Sequence, residues 1–318
     1  MLHLRVVSPG GSTQDAVHAV ESAQSTANLA VVKGVCLAGE GDLLLFDVAR
    51  ERANDIVSAL RDLGIVESGS ISISEPSTVL SRAAETAEEA AQGHPSDGIV
   101  WEEIEEKAKD DARISWSFIT FLILATLIAG VGRYLDQPIL IIGAMVVGPE
   151  FAPIAALCIA VARRRRGLAL PATLTLLGGF AIAAAVAWVV WVIAYAAGAI
   201  DVVAATTGSA TDFIIKPDAW SFVIALLAGC AGMLSLTSAK SSALVGVFIS
   251  ITTVPAAGTL GLTLAVGAWE EAGASGIQLA VNIVGLIIAG IATLKVQSLL
   301  VRASRRRRIK AVANPGPS

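Results

Sequence analysis

Polar and apolar positions alternate with a period of two over residues 2–7, which predicts a half-buried strand, and Pro9-Gly10-Gly11 then supplies turn chemistry. Residues 12–25 shift to a helical period, with Ala16, Val17 and Val20 on one face. A valine-rich strand over 29–37, turn residues at 39–42 and a returning strand over 43–48 predict a hairpin. Residues 50–63 carry Ile56, Val57, Leu60 and Leu63 at helical spacing, stop at Gly64 and lead to a last strand over 71–74. The order β-α-β-β-α-β predicts a split βαβ arrangement, an α+β ferredoxin-like (ACT-like) N-terminal domain over residues 1–76. Such a fold leaves function open. The head is expected either to sense a small-molecule ligand or to serve as an assembly and docking module.

From residue 77 the pattern changes twice. Residues 77–115 read as an acidic linker followed by a juxtamembrane helix, in which Trp101, Ile104 and Ala108 share one face. Two roles are open for it: a lever between head and body, or a solvated connector. Beyond it, six apolar runs occupy 116–132, 138–162, 168–199, 220–239, 241–267 and 277–301, each close to or above the ~20 residues that cross a bilayer core. The expectation is an all-α six-helix transmembrane domain over 116–301 and a basic tail over 302–318.

Charge supports this division. Of 318 residues only 16% are charged, against about 25% in an ordinary soluble chain. Net charge is −11 over residues 1–115, +1 over 116–301 and +6 over 302–318. A head so acidic does not grip phosphate, which excludes a nucleic-acid binder, and the apolar body excludes a purely soluble enzyme. Arg163–Arg166, Lys240 and the tail arginines follow the second, fourth and sixth runs, whereas the other loops hold Asp136, Asp201, Asp212, Asp218, Glu270 and Glu271 against only Arg133 and Lys216. Positive charge collects on the cytoplasmic side. Residues 1–7 are too short for a signal-peptide core. Both termini are therefore expected in the cytoplasm, with the protein a multi-pass component of the cell's inner (cytoplasmic) membrane. The Arg163–Arg166 run reads as a topology signal or as a headgroup or phosphate site.

Catalytic chemistry is hard to find. Cys36, Cys158 and Cys230 are far apart, and His3, His18 and His94 are not near a carboxylate pair or nucleophile motif. No enzyme activity, metal or cofactor is expected. The body offers something else. Six spans divide three plus three in opposite orientation, so any likeness between halves is an inverted repeat, and the middle helix of each triplet is where a site is sought. The second span holds Gly143, Gly148, Pro149, Glu150 and Pro153, and the fifth holds Thr252, Thr253 and Pro255. Proline costs about 3 kcal/mol inside a helix, and freed backbone groups in hydrocarbon must be covered by protein or water. Two broken helices lining one polar site, or two ordinary kinks, both fit. Glu150 is the only acidic residue inside a span; it reads as a proton- or cation-coupling carboxylate or as a helix cap. Gln278, Asn282 and Gly285 share a face of the sixth span, and Ser235, Ser238 and Ser242 line another. The candidate substrate- or ion-binding residues are thus Gly143, Gly148, Pro149, Glu150, Pro153, Thr252, Thr253, Pro255 and Asn282. Gly178, Gly179, Gly229 and Gly232 permit close helix packing and favour a homo-oligomer.

Residues 141–153, IIGAMVVGPEFAP, resemble the segment typical of the prokaryotic membrane-protein family called domain of unknown function 389, and residues 243–255, ALVGVFISITTVP, resemble its second signature. The likeness covers roughly residues 114–270. Gly148 stands where the family usually has Ser, Glu150 where it has an aliphatic residue, and Ala256 where it has a second proline. The resemblance implies a bilayer-embedded helical body and no established activity. The function expected is a transporter or channel for a small solute or ion with a cytoplasmic regulatory domain; the alternative is a membrane-anchored sensor or scaffold whose head recruits a soluble partner. Expected partners are the lipid bilayer, further copies of the chain and a small-molecule ligand of the head, with no nucleic acid.

Overall fold

Leu2, Leu4 and Val6 are fully buried while His3, Arg5 and Val7 between them are not, so strand β1 (Leu2–Pro9) splits its residues between a core face and an outer face. The computed structural model describes residues 1–36, 41–76, 78–91, 98–208, 210–212, 219–238 and 252–313. It separates into two compact units, Met1–Ile104 with the short stretch that starts at Leu236, and a second that begins at Glu105 and takes in the rest.

In the first unit β1 is followed by α1 (Thr13–Glu21), β2 (Thr26–Cys36), β3 (Gly41–Val48), α2 (Ala53–Asp62), α3 (Ile65–Ser68) and β4 (Ser70–Ser74). The strands form one antiparallel sheet in the order β2-β3-β1-β4. Register places Leu4 opposite Phe46 and Val6 opposite Leu44, so their side chains join one core with Ala16, Val20, Ile56, Val57 and Leu60 from α1 and α2. Burying one such side chain is worth about 1.5–3 kcal/mol. Gly64, at φ +74, ends α2 in the left-handed conformation that glycine adopts without strain.

The expected linker is partly folded. Helix α4 (Arg82–Ala90) starts at Ser81, whose hydroxyl accepts from the Ala84 N–H, and buries Ala84 and Ala87 against Ala27 of β2. The Met1 amine meets the Glu88 carboxylate at 2.6 Å. Helix α5 (Trp101–Asp111) buries Trp101, Ile104 and Ala108, the face expected of it. Asn54 steadies its start, accepting from the Trp101 N–H and donating to the Ile99 carbonyl.

The second unit is helical: α6 (Trp116–Tyr134), α7 (Pro138–Val147), α8 (Phe151–Ala162), α9 (Arg166–Ala196), the short α10 (Val202–Thr206), α11 (Ala219–Thr237), α12 (Thr253–Ala265) and α13 (Trp269–Ala313). Ser115 caps α6 by accepting from the Phe118 N–H at 3.1 Å. Among the described residues α6, α9, α11 and residues 269–301 of α13 are long and apolar enough to cross a membrane, and α7 with α8 makes a fifth such span bent by 52°. Phe121, Leu124 and Ile128 on α6, Leu174, Leu177 and Ile193 on α9 and Leu227 on α11 point outward and exposed. An apolar belt of this kind associates with a bilayer.

Helix α12 is different. Its 13 residues make ~20 Å, short of the ~30 Å core, and residues from Thr253 to Gly258 are all buried. It packs against α6, α7, α9 and α13. Glycine allows this: a Cβ on Gly258 would lie 2.6 Å from the Thr126 carbonyl oxygen, and one on Gly261 would lie 2.9 Å from Ala187 Cβ. Gly179, Gly229 and Gly232 likewise abut Phe118, Leu286 and Phe151 of the same chain, so these three small residues serve packing inside the body. The expected fifth span began at residue 241; residues 241–251, Ser242 included, lie outside the described residues, as do Lys240, Lys216, Asp218 and His94.

Candidate functional site

Pro149 has no N–H to offer the Met145 carbonyl, so α7 cannot continue through it. Gly148 turns to an extended conformation (φ −66, ψ 129), and the chain restarts as α8 with Glu150 at its N-cap position and Pro153 buried in its first turn. The Pro149 carbonyl takes the Ala152 N–H at 3.2 Å. Glu150 does not cap α8: its side chain makes no capping hydrogen bond. It reaches across to α12 instead. Glu150, 2% exposed, accepts from the Thr253 hydroxyl at 2.9 Å through Oε1. Oε2 has no hydrogen-bond partner among the described residues and lies so near Gly148 that a Cβ there would overlap it.

Thr252 and Thr253 open α12, with Pro255 in the first turn, where a missing N–H costs nothing. Thr252 Oγ1 accepts from Asn282 Nδ2 of α13 at 2.6 Å. Two hydrogen bonds separated by one peptide therefore tie the α7–α8 break, the start of α12 and the middle of α13 together. Of the nine candidate residues, Gly148, Glu150, Thr252, Thr253 and Asn282 converge, Pro149, Pro153 and Pro255 shape the chain beside them, and Gly143 faces outward with open space around it. Gln278, one turn from Asn282, is 1% exposed, as its expected face requires. Ser275 and Thr259, both fully buried, escaped the sequence reading because a lone hydroxyl in an apolar run carries no motif.

Two charge clusters were also missed. Arg133, at the end of α6, is fully buried and donates to the Thr206 carbonyl at 3.0 Å, the Gly208 carbonyl and the Thr211 hydroxyl, with Asp212 at 3.8 Å. Asp136 accepts from the Thr211 hydroxyl at 2.8 Å and the Ala210 N–H at 3.2 Å. The Thr211 hydrogen bond chiefly holds the Asp136 carboxyl below its usual range. Glu105 of α5 binds Arg163 Nε at 3.0 Å and Arg165 Nε at 2.9 Å. Burial pushes its carboxyl up, but hydrogen bonds from Arg165 and Arg163 outweigh that and leave it lowered. The charges could be read in the sequence, but the partners that hold them, Thr206, Gly208 and Thr211 for Arg133 and Glu105 for Arg163 and Arg165, lie 58 to 78 positions away, and nothing local specifies those contacts.

In the head, His3 Nδ1 and Asp47 Oδ1 lie 2.9 Å apart and Asn28 donates to Asp47 Oδ2 at 2.7 Å, a small polar cluster on the outer sheet face. Among the described residues no three His, Cys, Asp or Glu side chains gather as metal ligands would.

Residues 145–288 match the family described as Domain of unknown function (DUF389), which bears out the likeness carried by the two proline motifs. The match takes in the α7–α8 break, α12 and Asn282. A curated protein of Methanocaldococcus jannaschii, described as uncharacterized, is 31% identical over 163 residues, 51% of this chain and 48% of that one. The chain thus spans about half the length of the curated relative it matches. No solved structure matches.

Proposed function

We propose that the protein is a transporter or channel for a small solute or ion, worked by the helix break at Glu150 and governed by a cytoplasmic regulatory head. One observation carries this reading: a buried carboxylate at the break of a bent apolar helix pair, bonded to the first turn of a second, centrally placed helix. An ionisable group at such depth costs several kcal/mol and is kept where ions or substrates pass. Discontinuous helices whose ends meet at mid-depth are the usual architecture of such sites. The reading takes the body as six spans over 116–301 in a three plus three inverted repeat, joined through the 77–115 connector to a head over 1–76 whose strand order β2-β3-β1-β4 supports a ferredoxin-like domain. It places both termini, and the tail over 302–318, in the cytoplasm of an inner-membrane protein. It takes the protein to form a homo-oligomer and the head to bind a small-molecule ligand, and it assigns no enzymatic step, because among the described residues the buried polar groups at the break include a single carboxylate and no nucleophile paired with a base.

A second reading, a membrane-anchored sensor or scaffold, draws on the dense packing of Gly258 and Gly261 around α12. Flux of a panel of ions and metabolites into liposomes holding the purified protein decides between them. The transport reading expects uptake above protein-free liposomes that is lost or made pH-independent in Glu150→Gln; no flux of any panel member, with the protein folded, supports the scaffold.

A further inference from the structure

Helices α12 and α13 run antiparallel about the turn at Gly267, and the Thr252–Asn282 hydrogen bond fixes their register. Thr252 and Asn282 are equally far in sequence from Gly267, and so are Thr259 and Ser275, which are therefore level with each other two helical turns nearer the turn. Gln278 lies between the two levels. Thr259 and Ser275 are fully buried and Gln278 is 1% exposed. Yet Thr259 Oγ1, Ser275 Oγ and Gln278 Oε1 have no hydrogen-bond partner among the described residues, the same condition as Glu150 Oε2. A buried oxygen left unpaired carries the full penalty of losing its water, and apolar side chains of similar size would remove that penalty at each position. Three such atoms lie at positions seven or four residues from Thr252 or Asn282, on the helix faces that those two residues join, and the fourth is on the carboxylate bonded to the adjacent Thr253; together they call for something that bonds them.

We propose that the α12–α13 interface is a proton path, in which internal water bonded by Ser275, Thr259 and Gln278 delivers a proton past Asn282 and Thr252 to Glu150 Oε2. This rests on the reading of Glu150 as the coupling group and names its ligand. A hydronium at the Gly267 end gives up a proton; each water on the way gains one O–H bond and loses another; Glu150 forms the last O–H bond and becomes neutral. Hydroxyl and amide oxygens at intervals of about a turn suit water, which seeks two to four polar partners. One carboxylate without further acidic ligands suits a single positive charge and not a divalent cation, which gathers several oxygens, carboxylates among them. Thr253 supplies the hydrogen bond to Oε1, leaving Oε2 to take the proton. On the helices packed around it, the titratable groups are Arg133 and Tyr134 of α6, Cys158 of α8, Arg166 and Tyr195 of α9, Cys230 of α11, and Glu270, Glu271, Lys295 and the basic tail of α13. Among the described residues none of them makes an ion pair or hydrogen bond with Glu150.

The test uses full-length protein in phosphatidylcholine nanodiscs, followed by time-resolved infrared difference spectroscopy after an acid jump. The carboxylic C=O band of Glu150 is identified by its loss in Glu150→Gln. The band is expected to grow on acidification, and the double variant Thr259→Val, Ser275→Ala to slow its growth about tenfold while leaving the endpoint unchanged, the factor set by ~1.4 kcal/mol of barrier. The hydroxyl-keeping pair Thr259→Ser, Ser275→Thr is expected to retain the original rate, which separates a lost path from a damaged fold. An unchanged rate in the first pair, or equal slowing in both, overturns the path. A band abolished by sodium at constant pH overturns the proton in favour of a metal cation. If the band responds through the path but no solute moves in the liposome assay, the path stands and transport fails; if solute moves while the band ignores pH, the path fails and transport stands.

Discussion

Arg133 and Glu150 are both buried ionisable side chains of the helical unit, and their surroundings are opposite. Among the described residues Arg133 is met by two carbonyls, a hydroxyl and the Asp212 carboxylate, with Asp136 bonded to the same Thr211, whereas Glu150 is met by one hydroxyl. A guanidinium offers five donors and needs acceptors around it to be tolerated when buried. Its set of partners ties Thr206, Gly208, Thr211 and Asp212 to the end of α6, which is a structural duty. The carboxylate has four lone-pair sites and, among the described residues, one donor, the Thr253 hydroxyl. On the transport reading proposed above, the difference separates a charge that holds a fold from one kept available for work.

Four changes break or sharpen that contrast. The largest expected effect is Arg133→Ala, which strands the Thr206 and Gly208 carbonyls and should cost about 3 kcal/mol; thermal unfolding in detergent reads it, and a variant as stable as the parent would erase the structural role. Glu150→Gln should stay within about 1 kcal/mol of the parent in the same measurement, since an amide still accepts from Thr253, while solute uptake loses its pH dependence. Unfolding as severe as that of Arg133→Ala would put the two residues in one class. Gly148→Ala sets a methyl against Glu150 Oε2 and Val254, and we expect about 1–2 kcal/mol of destabilisation with the Glu150 infrared band shifted; an unmoved band would show that Oε2 is not confined by the break. The smallest effect concerns pH at Asp136. Its folded value is depressed, chiefly by the Thr211 hydrogen bond, so its contribution is present above the ordinary 3.8 and is lost as pH falls through the lower folded value. Amide exchange at Ala210 and Thr211 should therefore quicken only below about pH 4, and faster exchange already at pH 6 would assign the ordering of those residues to another group.

The head was legible residue by residue because each of its signals is local. Alternation at Leu2–Leu4–Val6, the helical period at Ile56–Val57–Leu60 and the stop at Gly64 each appear within a few positions. Helix α4 was not, because its buried face is two alanines, Ala84 and Ala87, in an acidic run that composition assigns to a linker. In the body the sequence named Glu150 and its prolines as a site, since a carboxylate and two prolines inside an apolar run are conspicuous. It also offered a capping role for Glu150, which the described geometry does not use.

Sequence alone thus determined the strands and helices of the head up to residue 74, the apolar segments and the position of the α7–α8 break, all properties of a residue and its near neighbours. Which polar groups meet was decided only in three dimensions. Nothing local pairs Glu150 with Thr253, Asn282 with Thr252 or Arg133 with Thr211, because each pair lies 30 to 103 positions apart and forms only after the helices pack. The same holds for the centrality of α12. Its sequence reads as one more apolar stretch, and it is the close approach of Gly258 to Thr126 and of Gly261 to Ala187 that seats it between α6 and α9.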